Sequence, residues 1–119
     1  MPRRGVTYEQ VKQWALALPG TAEVFVEDWG HPTLRVNNKM FASGAPESAT
    51  MTLKASTEDQ AELIATDPET YSTAPYTGRY GWVLVQLSRV DPAELHELII
   101  EAWRRTAPKR LAATYRQPT

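Results

Sequence analysis

Metal ligation and proton transfer in this chain would fall to two histidines and the carboxylates, because there is no cysteine. That absence removes disulfides, thiolate metal sites and cysteine nucleophiles together. His31 lies in "WGHPTLRV" behind Glu27 and Asp28, an oxygen–nitrogen set that suits a hard or borderline cation. Adjacent acids at a strand end are more commonly just solvated. His96 lies in "ELHEL", which is not H-E-x-x-H, and no second histidine stands at a metal-ligand offset from it. Glu94, Glu97 and Glu101 read as the solvated face of a helix, with His96 beside them. No G-x-S-x-G, Walker loop or G-x-G-x-x-G occurs, and nothing marks a serine as activated by a base. The expectation is no catalytic residue, no metal site, no cofactor and no enzyme.

Phosphate and base recognition is the better-furnished chemistry. It needs cations with reach, and amide or aromatic groups close to them. Arg35, Lys39, Lys54 and Arg79 all fall on strand-like runs or their ends, with Asn37, Asn38, Tyr80 and Trp82 nearby. The segment "TGRYGWVLVQLS" crowds Arg79, Tyr80 and Trp82 between and beside two glycines as the chain enters a strand. Each residue also has a structural reading. Lys39 can be a solvated turn residue or an edge-strand guard, and Trp82 can be packing at the core margin. Taken as a group they form a candidate nucleic-acid site: Arg35, Asn37, Lys39, Lys54, Arg79, Tyr80 and Trp82.

Charge distribution bears on that candidate in both directions. The net charge is −1, whereas strongly DNA-binding domains are usually basic. Yet every acid lies between Glu9 and Glu101, and the tail carries Arg104, Arg105, Lys109, Arg110 and Arg116 with none. Such a tail attracts phosphate; Arg104 and Arg105 read first as helix-end cations that complement the macrodipole.

The elements that must position these groups follow from periodicity. The 119 residues fit one domain, 1–119, with a basic extension from about residue 108. Three segments have helical spacing. In "TYEQVKQWALALPG", Thr7 and Gln10 have capping-box spacing, Tyr8, Val11, Trp14, Ala15 and Leu18 share a face, and Pro19-Gly20 stops the helix. In "TEDQAELIATDP", Thr57 and Gln60 repeat the box, with Ala61, Leu63 and Ile64 as the apolar face. In "DPAELHELIIEAWRRTAP", Asp91 is the expected N-cap and Pro92 the first helical residue. Leu95, Leu98, Ile99, Ala102 and Trp103 form its core stripe.

Strand-like runs lie between: "AEVFVED", "PTLRV", "KMFASG", "TMTLKA" and "GWVLVQLS". Asn37-Asn38 suits the positive φ of a tight hairpin. The expected order is α-β-β-β-β-α-β-α, an α+β fold with an antiparallel sheet of about five strands and helices on one face. Alternation sends Val83, Val85 and Leu87 inward and leaves Thr33, Arg35, Thr52, Lys54, Trp82 and Gln86 on an open face. "DPETYSTAPYTGR" shows no clear period and is long enough for a structureless loop to suggest a role. Its plain reading is an irregular crossover held by Tyr71 and Tyr76 packing on the body.

Two runs give a family resemblance. His31, Pro32, Leu34, Arg35, Val36, Lys39, Phe41 and Ala42 carry an "HP-x-[FL]-R-V-x-x-K-x-F-A" pattern, and Gly78, Arg79, Gly81, Trp82 and Val83 carry "G-[KR]-x-G-W-V". With these the chain resembles the MmcQ/YjbR family of small bacterial proteins over nearly its whole length. Leu34 stands in place of the phenylalanine common there, and Asn37-Asn38 where a glycine is frequent. The resemblance implies a CyaY-like (frataxin-like) fold and DNA binding through a double-winged arrangement of β-hairpins. Asn37 to Lys39 would form one wing tip, and "SGAPESA" or the loop reaching Arg79 the other. It supplies no catalytic residues. A frataxin-like iron role would want an acidic ridge on the first helix, where Glu9 is set against Lys12.

The partner expected is therefore DNA, met on the open sheet face. The alternative is an adaptor that holds a protein or small molecule on the same face. The start "MPRRGVTYEQ" lacks the apolar run of a secretory signal, and no apolar stretch is long enough to cross a bilayer. The expected location is cytoplasmic, away from the membrane. Oligomeric state has no signal in the sequence.

Overall fold

Capping side chains set the helix starts. The computed structural model describes residues 5–115, and in it helix α1 (Tyr8–Leu16) opens with Thr7 accepting the Gln10 N–H at 3.2 Å. Helix α3 (Pro92–Thr106) opens with Asp91 accepting the Glu94 N–H at 2.9 Å, and Arg104 and Arg105 occupy its last turn, as the macrodipole favours. Helix α2 (Thr57–Thr66) corrects the expected cap by one residue. Ser56, not Thr57, accepts the Asp59 N–H, at 3.0 Å. Ala61 is exposed, and Leu63 and Ile64 are only half-buried. Leu63 and Ile64 still pack against the core, and a polar residue adds a second anchor: the Gln60 side-chain amide donates to the carbonyls of Gly78 and Trp82, both at 2.7 Å.

The sheet has six strands rather than five: β1 (Thr21–Val26), β2 (His31–Val36), β3 (Lys39–Ser43), β4 (Thr50–Leu53), β5 (Tyr71–Thr73) and β6 (Val83–Gln86). All pairings are antiparallel, in the order β1-β2-β3-β4-β6-β5. The additional strand, β5, lies inside the segment expected to be an irregular crossover. It pairs only with β6 and closes that edge of the sheet. Asn37 and Asn38 take φ of 48° and 66°, the tight hairpin turn expected between β2 and β3. A short helix α4 (Lys109–Ala112) follows α3 and takes up the first residues of the basic extension. Leu111, Ala112 and Tyr115 pack against the core, with Tyr115 edge-on to Trp103 at 5.4 Å. Arg116 lies outside the described residues.

The core fills the space between one sheet face and the helices. Leu34, Val36, Phe41, Met51, Leu53, Val83 and Val85 meet Val11 and Ala15 of α1 and Leu95, Ile99 and Trp103 of α3. A register shift lets Phe41 and Ala42 both point inward. Leu34 pairs with Ala42 and Arg35 with Met40, so Phe41 is the extra residue of a bulge. Each edge strand is fastened to a helix by a buried tyrosine. Tyr8 of α1 donates to Glu23 of β1 at 2.7 Å, and Tyr71 of β5 donates to Glu94 of α3. Glu94 is thus a ligand of the edge strand and not simply a solvated charge. Both phenols are held well above their ordinary value, first by burial and then by the carboxylate each faces. His96, expected beside the acids of α3, stacks on Trp14 at 4.6 Å. Among the described residues no helix is long and apolar enough to cross a membrane.

Candidate functional site

The face of the sheet away from the helices is open, and pairing register assigns its residues. Directly opposed residues share a face, so Val24, Thr33, Ser43, Thr52, Leu84 and Ser72 form one row across all six strands. Arg35 stands opposite Met40 on the same side. Lys54, two residues beyond Thr52, continues β4 on that side and donates its N–H to Phe41 at 3.0 Å.

The candidate residues gather at one end of this face. The β2–β3 turn carries Asn37 and Lys39, both exposed; Lys39 stands opposite the buried Val36, so it borders the open face from the turn and does not lie on it by register. Arg35 ends β2, with Nε donating to Thr33 Oγ1 at 2.9 Å and Nη1 to the Asn38 carbonyl at 3.4 Å. These bonds hold the guanidinium along the face. Arg79 and Tyr80 sit in a one-turn 3₁₀ helix (Gly78–Tyr80) beside the start of β6. The Arg79 guanidinium lies 4.8 Å over the Tyr80 ring, which is itself exposed.

Trp82 breaks from the expectation. Its strand phase puts it on the open side, yet it is only 7% exposed. Its carbonyl accepts from the Gln60 amide and from the Ala74 N–H, so the chain from β5 and the start of α2 close around it. Trp82 is a structural residue rather than one offered to a partner. Gly81 makes this close approach possible. At φ 102° a Cβ there would lie 2.4 Å from the Ala55 carbonyl oxygen.

On the helix side Lys12 pairs with Glu23 at 3.3 Å and Arg105 with Asp59 at 2.8 Å, while Arg104, Lys109 and Arg110 have no carboxylate partner among the described residues; Arg89 pairs with Glu69 between the connections next to β5 and β6. Among the described residues, none of Arg35, Lys39, Lys54 and Arg79 has a carboxylate partner. Glu27 and Asp28 lie in the β1–β2 turn and Glu47 in the β3–β4 connection, both at the opposite end of the sheet. The face is therefore polarised along its strands.

Between the two ends lies a cleft of about 550 Å³, lined by Trp29, His31, Met40, Ser43, Thr52 and the Pro75–Thr77 loop. Sheet order explains its shape. Met40, Ser43 and Thr52 of the central strands β3 and β4 make the floor, Trp29 rises from the β1–β2 turn, and Tyr76 comes from beyond β5. The Ser43 and Thr52 hydroxyls bond each other at 2.6 Å. His31 Nδ1 donates to the Pro32 carbonyl at 3.0 Å, which leaves Nε2 as an acceptor in the neutral ring.

Trp29 is 54% exposed and Tyr76 is 97% exposed. Tyr76 was expected to pack on the body; it stands in solvent at the centre of a three-residue turn, with φ 63° and Thr77 N–H closing on the Pro75 carbonyl at 2.6 Å. That hand of turn is rare and strained. Trp29 and Tyr76 are the site residues that motif reading passed over. The signal for Tyr76 was present, an aromatic between Pro75 and Thr77-Gly78 in a segment without periodicity. Trp29 gave none beyond its place before Gly30.

Ser43 Oγ has a hydroxyl for a partner and not a base. Among the described residues no three His, Asp or Glu side chains group to hold a metal, so Glu27, Asp28 and His31 do not form the cluster their spacing allowed. Of the two places expected for a second wing, "SGAPESA" is a turn with Ala45 buried and Ser48 N–H closing on the Ala45 carbonyl at 3.0 Å, and the loop reaching Arg79 ends in the 3₁₀ turn Gly78–Tyr80.

Comparison with known proteins agrees with this fold. The YjbR family model matches residues 16–105. The uncharacterized protein Rv2570 of Mycobacterium tuberculosis is 32% identical, over 92% of this chain and 95% of its own length. The uncharacterized protein Mb2600 of Mycobacterium bovis matches to the same extent. The crystal structure of Deinococcus radiodurans protein DR2400, a DUF419 domain, superposes with a TM-score of 0.76 at 21% identity. The match covers 88% of this chain and 80% of that one, a likeness of fold.

Proposed function

The chain belongs to the YjbR family, and on that footing we propose that it is a non-catalytic nucleic-acid-binding domain working through its open sheet face. One observation carries the proposal. By register Arg35 and Lys54 stand on the open face, Lys39 and Arg79 flank it at the β2–β3 turn end, and none of the four is neutralised by a carboxylate among the described residues. Elsewhere Lys12, Arg89 and Arg105 are each ion-paired, whereas Arg104, Lys109 and Arg110 at the helix ends have no carboxylate partner among the described residues, so it is the sheet that distinguishes the candidate cations. Unpaired cations fixed along a sheet are what phosphate neutralisation requires. Asn37 and Tyr80 stand beside them as exposed polar and aromatic contacts, and Trp82 supports the surface from beneath. A cytoplasmic location follows from such a role.

Fluorescence anisotropy with labelled duplex and single-stranded DNA tests this directly. Four phosphate contacts give a log–log salt slope of roughly −3 to −4, so affinity for duplex falls about 100-fold between roughly 50 and 200 mM salt. An absence of binding at the lower salt sinks the proposal.

A second reading, an adaptor for a protein or small molecule on the same face, is favoured by the cleft and its exposed Trp29 and Tyr76. It requires aromatic substitutions to cost more affinity than cation substitutions.

A further inference from the structure

Resting on the nucleic-acid reading, we propose that the cleft between Trp29 and Tyr76 takes one unstacked base, with its phosphate directed toward Arg35 and Lys54. The site therefore prefers a single strand, or a free nucleotide, to a duplex. Three features of the cleft converge on this ligand. Its walls present two exposed aromatic rings, and base stacking on aromatic side chains is the sequence-tolerant means of holding a single strand.

The floor is the second feature, because it is polar and mixed. Two hydroxyls bring two donors and spend one on each other, so Ser43 and Thr52 retain one donor along with acceptor lone pairs. His31 Nε2 adds an acceptor. A heteroaromatic edge that carries both donors and acceptors matches this floor, and a hydrocarbon does not.

The third feature is the direction of charge. Met40 lines the cleft and is the direct cross-strand partner of Arg35, which places the guanidinium stem about 5 Å away on the same face. Thr52 also lines it, and Lys54 follows two residues on, about 7 Å along the strand. An anionic group attached to the base meets these cations, while the opposite end offers Glu27, Asp28 and Glu47. The strained Tyr76 turn fits the same account. A fully exposed aromatic held at φ 63° contributes nothing to the core, and such strain collects at ligand clamps. Paired bases inside a duplex stack cannot enter a cleft on a sheet, so selectivity for unpaired nucleotides follows from shape.

The test compares four probes: a duplex, a single strand, an abasic strand of the same length, and adenosine monophosphate. They are titrated into the native chain, Trp29→Ala and Tyr76→Ala, with anisotropy for the strands and tryptophan quenching for the nucleotide. Both aromatic side chains are exposed, so circular dichroism should confirm that the variants fold. The expected result is tighter binding of the single strand than of the abasic strand by roughly tenfold or more, lost in either variant, with duplex affinity nearly unchanged. Quenching by adenosine monophosphate that Trp29→Ala abolishes, with no strand bound, would identify a free nucleotide as the source; the cleft assignment would stand while the polymer reading fell. Equal affinity for single, abasic and duplex strands would overturn the base cleft and leave the nucleic-acid role intact. Binding of none of the four overturns both.

Discussion

Tyr76 carries a cost that its packing does not repay. A tyrosine at φ 63° with its ring in solvent is held in a conformation that glycine adopts without strain. Tyr76→Gly should therefore keep or raise stability, by up to about 1 kcal/mol in chemical denaturation, while weakening single-strand binding. A loss of stability of that size would mean that the ring packs in a way its exposure does not reveal. The two fastening tyrosines behave oppositely. Tyr71→Phe retains the packing and loses one hydrogen bond, about 1 kcal/mol, whereas Glu94→Ala leaves a buried phenol without its acceptor and should cost about 1–3 kcal/mol. Linkage fixes the sign of their pH dependence. Tyr8 and Tyr71 both have folded values above the ordinary 10.0, so their contribution is complete below pH 10. It is lost as alkali ionises the unfolded chain ahead of the folded one. Thermal melts from pH 8 to 11 should show Tm falling beyond about pH 10, and falling less in Tyr71→Phe.

At the scale of elements, start signals written in one or two residues were legible and those depending on distant chain were not. Thr7 and Asp91 cap as their spacing says, while "ASTEDQ" offers two adjacent hydroxyls and the structure uses the first. Ser56→Ala should then cost about 1 kcal/mol and Thr57→Ala much less, compared by urea denaturation. Strand β5 was hidden because three residues are too few to display a period of two, and only pairing with β6 defines them. The burial of Trp82 was hidden for a related reason. Alternation gives the side of the sheet correctly but does not report the segments that close on it from positions 60 and 74. Gly81 is where that closure is tightest. Gly81→Ala combines an unfavourable φ with a 2.4 Å approach to the Ala55 carbonyl, and should destabilise by about 2 kcal/mol or more. The result to look for is a lower denaturation midpoint with an unchanged m value.

Across the whole molecule, the fold was readable because hairpin-scale links among the early strands and three capped helices leave few ways to cover one sheet face. The side of the sheet on which Arg35 and Lys54 stand was also readable, since strand phase alone gives it. The cleft was not, because it needs Trp29 and Tyr76 to meet over strands far from both in sequence. The net charge of −1 conceals the polarity that matters. Among the described residues Lys12, Arg89 and Arg105 are spent in ion pairs, while Arg35 and Lys54 stand unpaired on the open face and Arg104 and Lys109 unpaired at the helix ends. Location, and not total charge, is then the quantity to vary. Two double variants make the same charge change: Arg35→Glu with Lys54→Glu on the face, and Arg104→Glu with Lys109→Glu on the exposed helix ends. Measured by anisotropy on single-stranded DNA at roughly 50 mM salt, the face variant should lose affinity about tenfold or more and flatten the salt slope by about two contacts. The helix-end variant should stay within a few-fold of the native chain. Equal losses in the two would show that only overall charge is at work, and would contradict the assignment of the open sheet face.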